Sequence, residues 1–159
     1  MIELTLYLLI LVANGSPIIA RHIFANRFNL PVDGGRLLGD GQPLFGHSKT
    51  LRGIVASLLL TTISALLLGL SWKIGLIVSA VAMMGDLFSS FIKRRLKRPV
   101  SSQFIGLDQI PESLFPVLAC KSYLALSNLS MLLIVLMFVV GELLLSRIMY
   151  KLKIRRNPY

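Results

Sequence analysis

The acidic residues of this 159-residue chain are few and unevenly placed. Five of the seven lie in or beside two polar segments, 25–51 and 93–110, and these are Asp33, Asp40, Asp86, Asp108 and Glu112. The same two segments hold eight of the 17 Lys and Arg residues. Because Mg²⁺ usually takes one or two carboxylates and completes its shell with phosphate oxygens and water, acids mixed with bases favour phosphate chemistry with a magnesium cofactor.

Asp86 is the strongest single candidate, since it lies inside an otherwise apolar segment. A carboxylate inside a membrane span costs about 2.5–3.5 kcal/mol on insertion scales and usually faces the bundle interior at a functional site. Residues three to four and seven apart share a helix face. One face would then offer a metal ligand, a hydroxyl and a cation: Asp86, Ser89 or Ser90, and Lys93. The alternative is a buried Asp paired with an Arg that serves helix packing alone.

The stretch GDGQPLFGHSKTLRG, residues 39–53, has the composition of a phosphate-binding loop. It does not match the P-loop pattern G-x-x-x-x-G-K-[ST], because two extra residues precede Lys49 and Thr50 and no strand precedes the loop. The residues of the stretch nevertheless have physical properties that suit phosphate binding. Glycines allow close backbone approach to an anion, and the N–H groups of a helix beginning near Thr50–Gly53 favour phosphate. Lys49 and Arg52 would add charged donors.

Several weaker features leave alternatives open. DGGR, residues 33–36, resembles the start of the CDP-alcohol phosphotransferase motif, but the further aspartates of that motif are absent and this interpretation is rejected. His22 and His47 have no partner at zinc-ligand spacing. His47 is either a substrate contact or a plain loop residue, and Glu142 faces either the site or a partner helix. KRRLKRP, residues 93–99, is either a membrane anchor or a phosphate-binding segment.

The elements that must position these residues are membrane helices. Hydrophobic residues make up 55% of the chain and charged residues 15%, where a soluble domain has about 25% charged. Apolar segments of roughly the length that crosses a 30 Å hydrocarbon core occur at 2–24, 54–71, 74–92, 110–126 and 122–146. The first is retained as a span, because a signal peptide would begin with basic residues and Glu3 stands there instead. Cys120, the one cysteine, cannot form an internal disulfide.

The basic residues predict the orientation. With five spans and the N-terminus outside, 15 of the 17 Lys and Arg residues are cytoplasmic, and only Lys73 and Lys121 lie outside, as the positive-inside rule requires. The fourth segment, which contains Pro116, is either a short span or a re-entrant segment. We predict an all-α polytopic protein of about five transmembrane helices, N-out and C-in, with two long cytoplasmic loops. Residues 1–159 form one domain in the cell membrane, with its active site on the cytoplasmic side. The net charge of +10 is explained by the membrane, and no nucleic-acid partner is predicted.

Five motifs occur in the same order as in a known family: VANGSP (12–17), PVDGGRLLGDG (31–41), GHSKTLRG (46–53), GDLFSSFIKRRL (85–96) and GLDQIPE (106–112). The chain resembles the CDP-archaeol synthases, which are related to the membrane CTP:phosphatidate cytidylyltransferases. The resemblance implies transfer of a cytidylyl group from CTP to a membrane lipid phosphate, with release of pyrophosphate and dependence on magnesium. The acceptor is either a 2,3-di-O-geranylgeranylglycerol phosphate or a diacyl phosphatidate.

The resemblance also implies the site residues. Catalytic roles fall to Lys49, Asp86, Lys93 and Asp108. Nucleotide contacts are expected from Lys49, Thr50, Arg52, Gly53, Ser90, Lys93 and Arg94, and magnesium ligands from Asp86, Asp108 and Glu112. In one respect the chain departs from the family pattern, D-Q-L-D: Pro111 stands at the position of the last acid, and Glu112 follows one place later.

The expected chemistry needs no general base, because a lipid phosphate is already ionised and its oxygen can attack the α-phosphate of CTP directly. Catalysis then consists of positioning and charge stabilisation. The rival interpretation is a non-enzymatic membrane protein, either a small transporter subunit or an inactive family member. A transporter would place its polar groups at the bilayer midplane, whereas here they gather at the inner edge.

Overall fold

The structure is a computed structural model that describes residues 1–151, apart from the side chain at position 149. It contains five helices: α1 (Ile2–Phe24), α2 (Leu51–Leu67), α3 (Trp72–Arg95), α4 (Gln109–Cys120) and α5 (Asn128–Lys151). Over the described residues the only β-structure is two isolated bridges, both in the loop between α1 and α2. The prediction of an all-α fold with five helices is confirmed.

The helices differ in their capacity to cross a bilayer. Three are long and apolar enough to span one: α1, α3 and the 21 residues Asn128–Ile148 of α5. At 1.5 Å per residue, the 17 residues of α2 extend about 26 Å, and the 12 residues of α4 extend about 18 Å. The hydrocarbon core is about 30 Å thick. Helix α4 alone is shorter than this core, but the fourth apolar segment, 110–126, continues beyond the helix into the turn that follows, so a short span and a re-entrant segment both stay open.

The fifth helix begins later than its apolar segment suggested. The expected start was Ser122, but residues 121–125 form turns and Ala125 has a φ of 50°. The helix begins at Asn128, where the Ser127 hydroxyl accepts a hydrogen bond from the Ser130 N–H at 3.0 Å. Hydropathy does not place this boundary, because Leu124, Ala125 and Leu126 continue the apolar pattern almost up to the start of the helix.

A proline fixes α1 against α2. Pro17 has no N–H, so the carbonyl of Ala13, four residues earlier, loses its helical partner. The hydroxyl of Ser57 on α2 donates to that carbonyl at 2.8 Å, and so satisfies a group that hydrocarbon would leave unpaired. Gly53 lies against the same proline, where an added Cβ would come within 3.1 Å of the Pro17 Cβ. These contacts hold the start of α2, and with it Lys49 and Thr50, close to α1.

A second close approach joins α3 to α4. A Cβ on Gly85 would lie 2.6 Å from the carbonyl carbon of Pro111 and 2.9 Å from the backbone nitrogen of Glu112. Only a glycine permits this backbone contact. Because Asp86 follows Gly85 in the chain, the contact brings the start of α4 to the level of Asp86.

The loop between α1 and α2 is held by its own acids and by strand-like pairing. The Val32 N–H donates to the Lys49 carbonyl at 2.8 Å, and the Leu51 N–H donates to the Leu30 carbonyl at 3.0 Å. The Asp33 carboxylate accepts three backbone N–H groups, from Gly35, Phe45 and Gly46. Burial would raise the pKa of Asp33, but these three donors outweigh it and lower the pKa below its ordinary value.

Asp40 also serves this loop. It pairs with Arg95 at 2.6 Å and accepts the Gln42 N–H at 3.0 Å. Two of the five clustered acids, Asp33 and Asp40, are thus structural, and three remain for the chemistry.

Candidate active site

A cavity of about 740 Å³ lies between α1, α3, α4, α5 and the two polar loops. Seven of the residues predicted from the sequence line it: Lys49, Asp86, Ser90, Lys93, Arg94, Asp108 and Glu112. The other three line an adjoining cleft of about 160 Å³, which Lys49 and Asp86 also border: Thr50, Arg52 and Gly53. The structure therefore gathers residues that are up to 63 positions apart in the chain.

The Lys49 ammonium contacts one oxygen of the Asp86 carboxylate at 2.5 Å. The partner of Asp86 is therefore a lysine from the glycine-rich loop. The alternative interpretation, in which a buried Asp pairs with an Arg for helix packing alone, does not match this contact. Burial would lower the pKa of Lys49. The carboxylates of Asp86, Glu112 and Asp108 act in the opposite direction and raise it above the ordinary 10.5, so Lys49 is charged at neutral pH.

The Glu112 side chain is buried, and its carboxyl group interacts directly with that of Asp86. The Gly85 contact explains this proximity, because it sets the first turn of α4 on the α3 backbone. Sequence comparison left open whether Glu112 takes the place of the expected acid. Its carboxyl group does reach the neighbourhood of Asp86, one residue later in the chain than the family pattern.

The donor set suits magnesium. Asp86 and Glu112 offer hard carboxylate oxygens at one point of the cavity, and two such ligands are the usual protein share of a site that phosphate oxygens complete. Across residues 1–151, no three His, Cys, Asp or Glu side chains are arranged to hold one ion by themselves. A metal here would therefore depend on the phosphates of a substrate for the rest of its shell.

Lys93 and Asp108 form a second ion pair, at 2.5 Å. Lys93 also donates to the Ser102 carbonyl at 3.0 Å, and the other Asp108 oxygen accepts the Phe104 N–H at 2.8 Å. This pair fixes the loop that leads into α4. Asp108 borders the same cavity as Asp86, and its expected role as a metal ligand stays a prediction, since Lys93 and the loop already engage both of its oxygens.

Other predicted nucleotide contacts hold the loop in place. The Thr50 hydroxyl caps α2 by accepting the Gly53 N–H at 3.2 Å. The Arg52 guanidinium donates to the carbonyls of Ala25 and Arg27 and to the Asn29 side chain. These contacts position Lys49, and the guanidinium of Arg52 is already bound to the chain.

Ser90 and Arg94 are buried on the cavity face of α3. Arg94 donates to the Pro99 carbonyl at 2.8 Å and lies next to Gly46, where an added Cβ would come within 3.8 Å of its Nη1. Arg94 thus brings a positive charge to the end of the cavity that Lys93 borders.

Sequence reasoning missed the contribution of α1. Asn14 and Arg21 of α1 line the cavity, as does Asn26 just after the helix. The signal was present in the sequence, because Asn14 and Arg21 lie seven residues apart on an otherwise apolar span and so share a helix face. Two residues whose roles the sequence left open also line the cavity: His47 and Glu142.

Known proteins resemble this chain in sequence and in fold. The family model described as CarS-like, CDP-archaeol synthase, matches residues 1–159. A CDP-archaeol synthase of Sulfurisphaera tokodaii is 35% identical over 159 residues, covering 96% of this chain and 92% of its own. One from Sulfolobus acidocaldarius is 32% identical over 166 residues, covering 100% and 98%.

A solved structure of an intramembrane enzyme for archaeal membrane lipid biosynthesis superposes with a TM-score of 0.72 at 27% identity, covering 89% of this chain and 90% of that one. Sequence and architecture agree over nearly the whole length. The chain belongs to the CDP-archaeol synthase family.

Proposed function

We propose that this protein transfers a cytidylyl group from CTP to an archaeol-type lipid phosphate, giving a CDP-lipid and pyrophosphate. The observation that carries the proposal is the single cavity in which Lys49, Asp86 and Glu112 meet Lys93 and Asp108. It combines bases for phosphate groups with carboxylates for a divalent cation. Membership of the CDP-archaeol synthase family, together with relatives of that name, supports the assignment.

The reaction forms one bond and breaks one. An oxygen of the lipid phosphate attacks the α-phosphorus of CTP, and the bond from that phosphorus to the bridging oxygen of the β-phosphate breaks. The electron pair leaves with pyrophosphate. Lys49, Lys93 and Arg94 supply positive charge to the phosphates, and stabilisation of this kind is the main catalytic term where no base is required.

Magnesium is the proposed cofactor, held by Asp86 and Glu112, with Asp108 at the edge of the site. When bound, it would neutralise phosphate charge and orient the triphosphate for in-line attack. The direct interaction of the two carboxyl groups supports this placement. The ion pair of Lys49 with Asp86 supports it as well, because it shows that this position attracts a cation.

The cavity is proposed to open to the cytoplasm, in a multi-pass cell-membrane protein with N-out and C-in orientation. The supporting observation is that the cavity is bordered by the two long basic loops, which the distribution of Lys and Arg assigns to the inner side. CTP would enter through these loops, and the lipid would arrive from the surrounding leaflet.

A direct assay tests the function. The full chain in detergent or liposomes is incubated with labelled CTP, magnesium and either 2,3-di-O-geranylgeranylglycerol phosphate or a diacyl phosphatidate. We expect CDP-lipid and equimolar pyrophosphate, with the ether lipid preferred and the rate abolished by a chelator. Absence of product with both lipids would refute the proposal.

Asp86→Asn tests the site. The amide keeps the volume but loses the charge that binds Lys49 and a cation, so we expect product formation to fall by about 100-fold or more while the protein still inserts and elutes as a single species. Asp40→Asn is the matched control, because its carboxylate pairs with Arg95 in the loop and does not line the cavity. Full activity in Asp86→Asn would remove Asp86 from the mechanism.

A further inference from the structure

The cavity-facing stripe of α1 is not used by the chemistry described so far. It runs at spacings of three and four residues along one helix face and consists of Leu11, Asn14, Gly15, Ile18, Arg21, His22 and Ala25. Its character changes along the helix, from apolar at Leu11 to cationic at Arg21. At 1.5 Å per residue, the stripe extends about 15 Å from Leu11 to Arg21.

Helix α5 supplies the opposing wall. Phe138, Glu142 and Leu145 line the same cavity at helical spacing. Most of the apolar residues of the cavity thus lie on α1 and α5, among them Leu11, Ile18, Phe138 and Leu145, whereas α3, α4 and the loops supply most of its charged residues. A ligand that lies along α1 meets hydrocarbon at one end and a guanidinium at the other.

Arg21 differs from the other strongly basic residues of the cavity in having no partner among residues 1–151. Lys49 is paired with Asp86, Lys93 with Asp108, and Arg94 with the Pro99 carbonyl. The side chain of Arg21 makes no hydrogen bond or ion pair with any residue from 1 to 151. It borders both the main cavity and the adjoining cleft that holds the Lys49–Asp86 pair. Its donors are available to an anion without the loss of an existing contact.

We propose that Arg21 binds the phosphate of the lipid acceptor, and that the α1 stripe and the facing residues of α5 hold the adjoining part of its hydrocarbon chains. This inference rests on the proposed function and assigns the two anionic substrates to different parts of the cavity. CTP has no hydrocarbon, and the bases nearest the carboxylates, Lys49, Lys93 and Arg94, remain for its triphosphate. A dialkylglycerol phosphate matches the gradient along α1. Arg21 is a binding residue that places the attacking oxygen beside the Lys49–Asp86 pair.

The first test separates the two substrates. Arg21→Gln and Arg21→Lys are compared with wild type, varying 2,3-di-O-geranylgeranylglycerol phosphate at saturating CTP, and then varying CTP at saturating lipid. Loss of a charged hydrogen-bonding donor should raise the KM for the lipid by about 10- to 100-fold, leave the KM for CTP within about twofold, and be partly restored by lysine. Arg27→Gln is the control, since that side chain does not line the cavity.

The second test addresses the hydrocarbon path. A side chain at Gly15 meets open space, with no atom within 4 Å of an added Cβ, so Gly15→Phe projects into the cavity without a clash. We expect it to raise the KM for the long-chain lipid about tenfold or more, and to spare a short-chain dialkylglycerol phosphate. Leu8→Phe, at an exposed position of the same helix outside the cavity, should change neither value.

The outcomes are distinct. If Arg21→Gln raises the KM for CTP instead, or both KM values equally, Arg21 belongs to the nucleotide site and the inference is wrong. If Gly15→Phe impairs long and short acceptors alike, or neither, the path along α1 is wrong. Each of these results requires an active wild-type enzyme. Wild type without product would instead refute the proposed function.

Discussion

Lys49 carries the positive charge that offsets the carboxylates of Asp86 and Glu112. In a buried setting two neighbouring carboxyl groups lose hydration and repel each other, and a nearby positive charge offsets part of this cost. The lysine is placed by backbone pairing of its loop with residues 30–32, so its position depends on contacts some 18 residues away in the chain.

The charge of Lys49 predicts a pH dependence. Since the carboxylates raise its pKa above the ordinary 10.5, the stability that the ion pair contributes is fully present below that value and is lost as the pH rises through the raised pKa. The melting temperature of wild type should exceed that of Lys49→Met by a constant amount between about pH 7 and 9, and the gap should close only above about pH 10.5.

The same variant tests catalysis. Lys49→Met should lower kcat by about 100-fold or more through loss of phosphate stabilisation. Lys73→Met is the control, because Lys73 is exposed at the far end of α3. A melting-temperature gap that closes below pH 9 would contradict the raised pKa, and an active Lys49→Met would exclude Lys49 from the site.

At the scale of elements, α3 is the central helix, and two of its glycines set the distance to its neighbours. A Cβ on Gly75 would lie 2.7 Å from the Thr62 Cα on α2, while a Cβ on Gly85 would strike the backbone of α4 at Pro111. The first contact is ten residues from the second, about 15 Å along the helix. Of the two contacts, only the one at Gly85 lies next to the carboxylates of Asp86 and Glu112.

This difference provides a matched pair of variants. Gly75→Ala and Gly85→Ala should each destabilise the protein by about 1–3 kcal/mol, because an added methyl group forces two backbones apart. Only Gly85→Ala should also lower kcat, since it displaces Glu112 from Asp86. Thermal unfolding and rates measured well below both melting temperatures check this. Equal kinetic losses in the two variants would mean that the Gly85 contact has no special part in the site.

At the scale of the whole molecule, the proposed reaction joins a water-soluble nucleotide to a lipid. The cavity therefore requires one end that faces water and one wall that faces lipid. Most charged residues of the cavity come from the loops and the adjoining ends of α1, α3 and α4, and most of its apolar residues come from α1 and α5. The proposed orientation places the charged end in the cytoplasm, where CTP is found.

Cysteine labelling in intact cells tests that orientation. Leu37→Cys in the long loop and Tyr123→Cys in the turn after α4 both replace exposed side chains, and the native Cys120 is buried and should remain unlabelled. With a membrane-impermeant maleimide, we expect position 123 to react in intact cells and position 37 only after permeabilisation. The reverse pattern would invert the topology.

Hydropathy and the spacing of charges predict the helical class, the number of helices and the two polar segments that carry the site, because both are local properties of the chain. The sequence also indicated Asp86, whose charge on an apolar segment requires a reason. The resemblance to a known family added the expected roles of Lys49, Asp108 and Glu112, and the structure places all of them around one cavity.

Which acid meets which base, in contrast, follows from the packing of the helices in three dimensions. Asp33 and Asp86 are the same type of residue in the sequence. In the structure, the Asp33 carboxylate accepts three backbone N–H groups, whereas Asp86 pairs with Lys49, 37 residues away. In the sequence, Arg21 likewise does not differ from the other basic residues. Only the structure shows that it has no partner among the described residues. These outcomes depend on how closely the helices approach, at Gly53 against Pro17 and at Gly85 against Pro111, and a distance between backbones is set by the packing of both partners together.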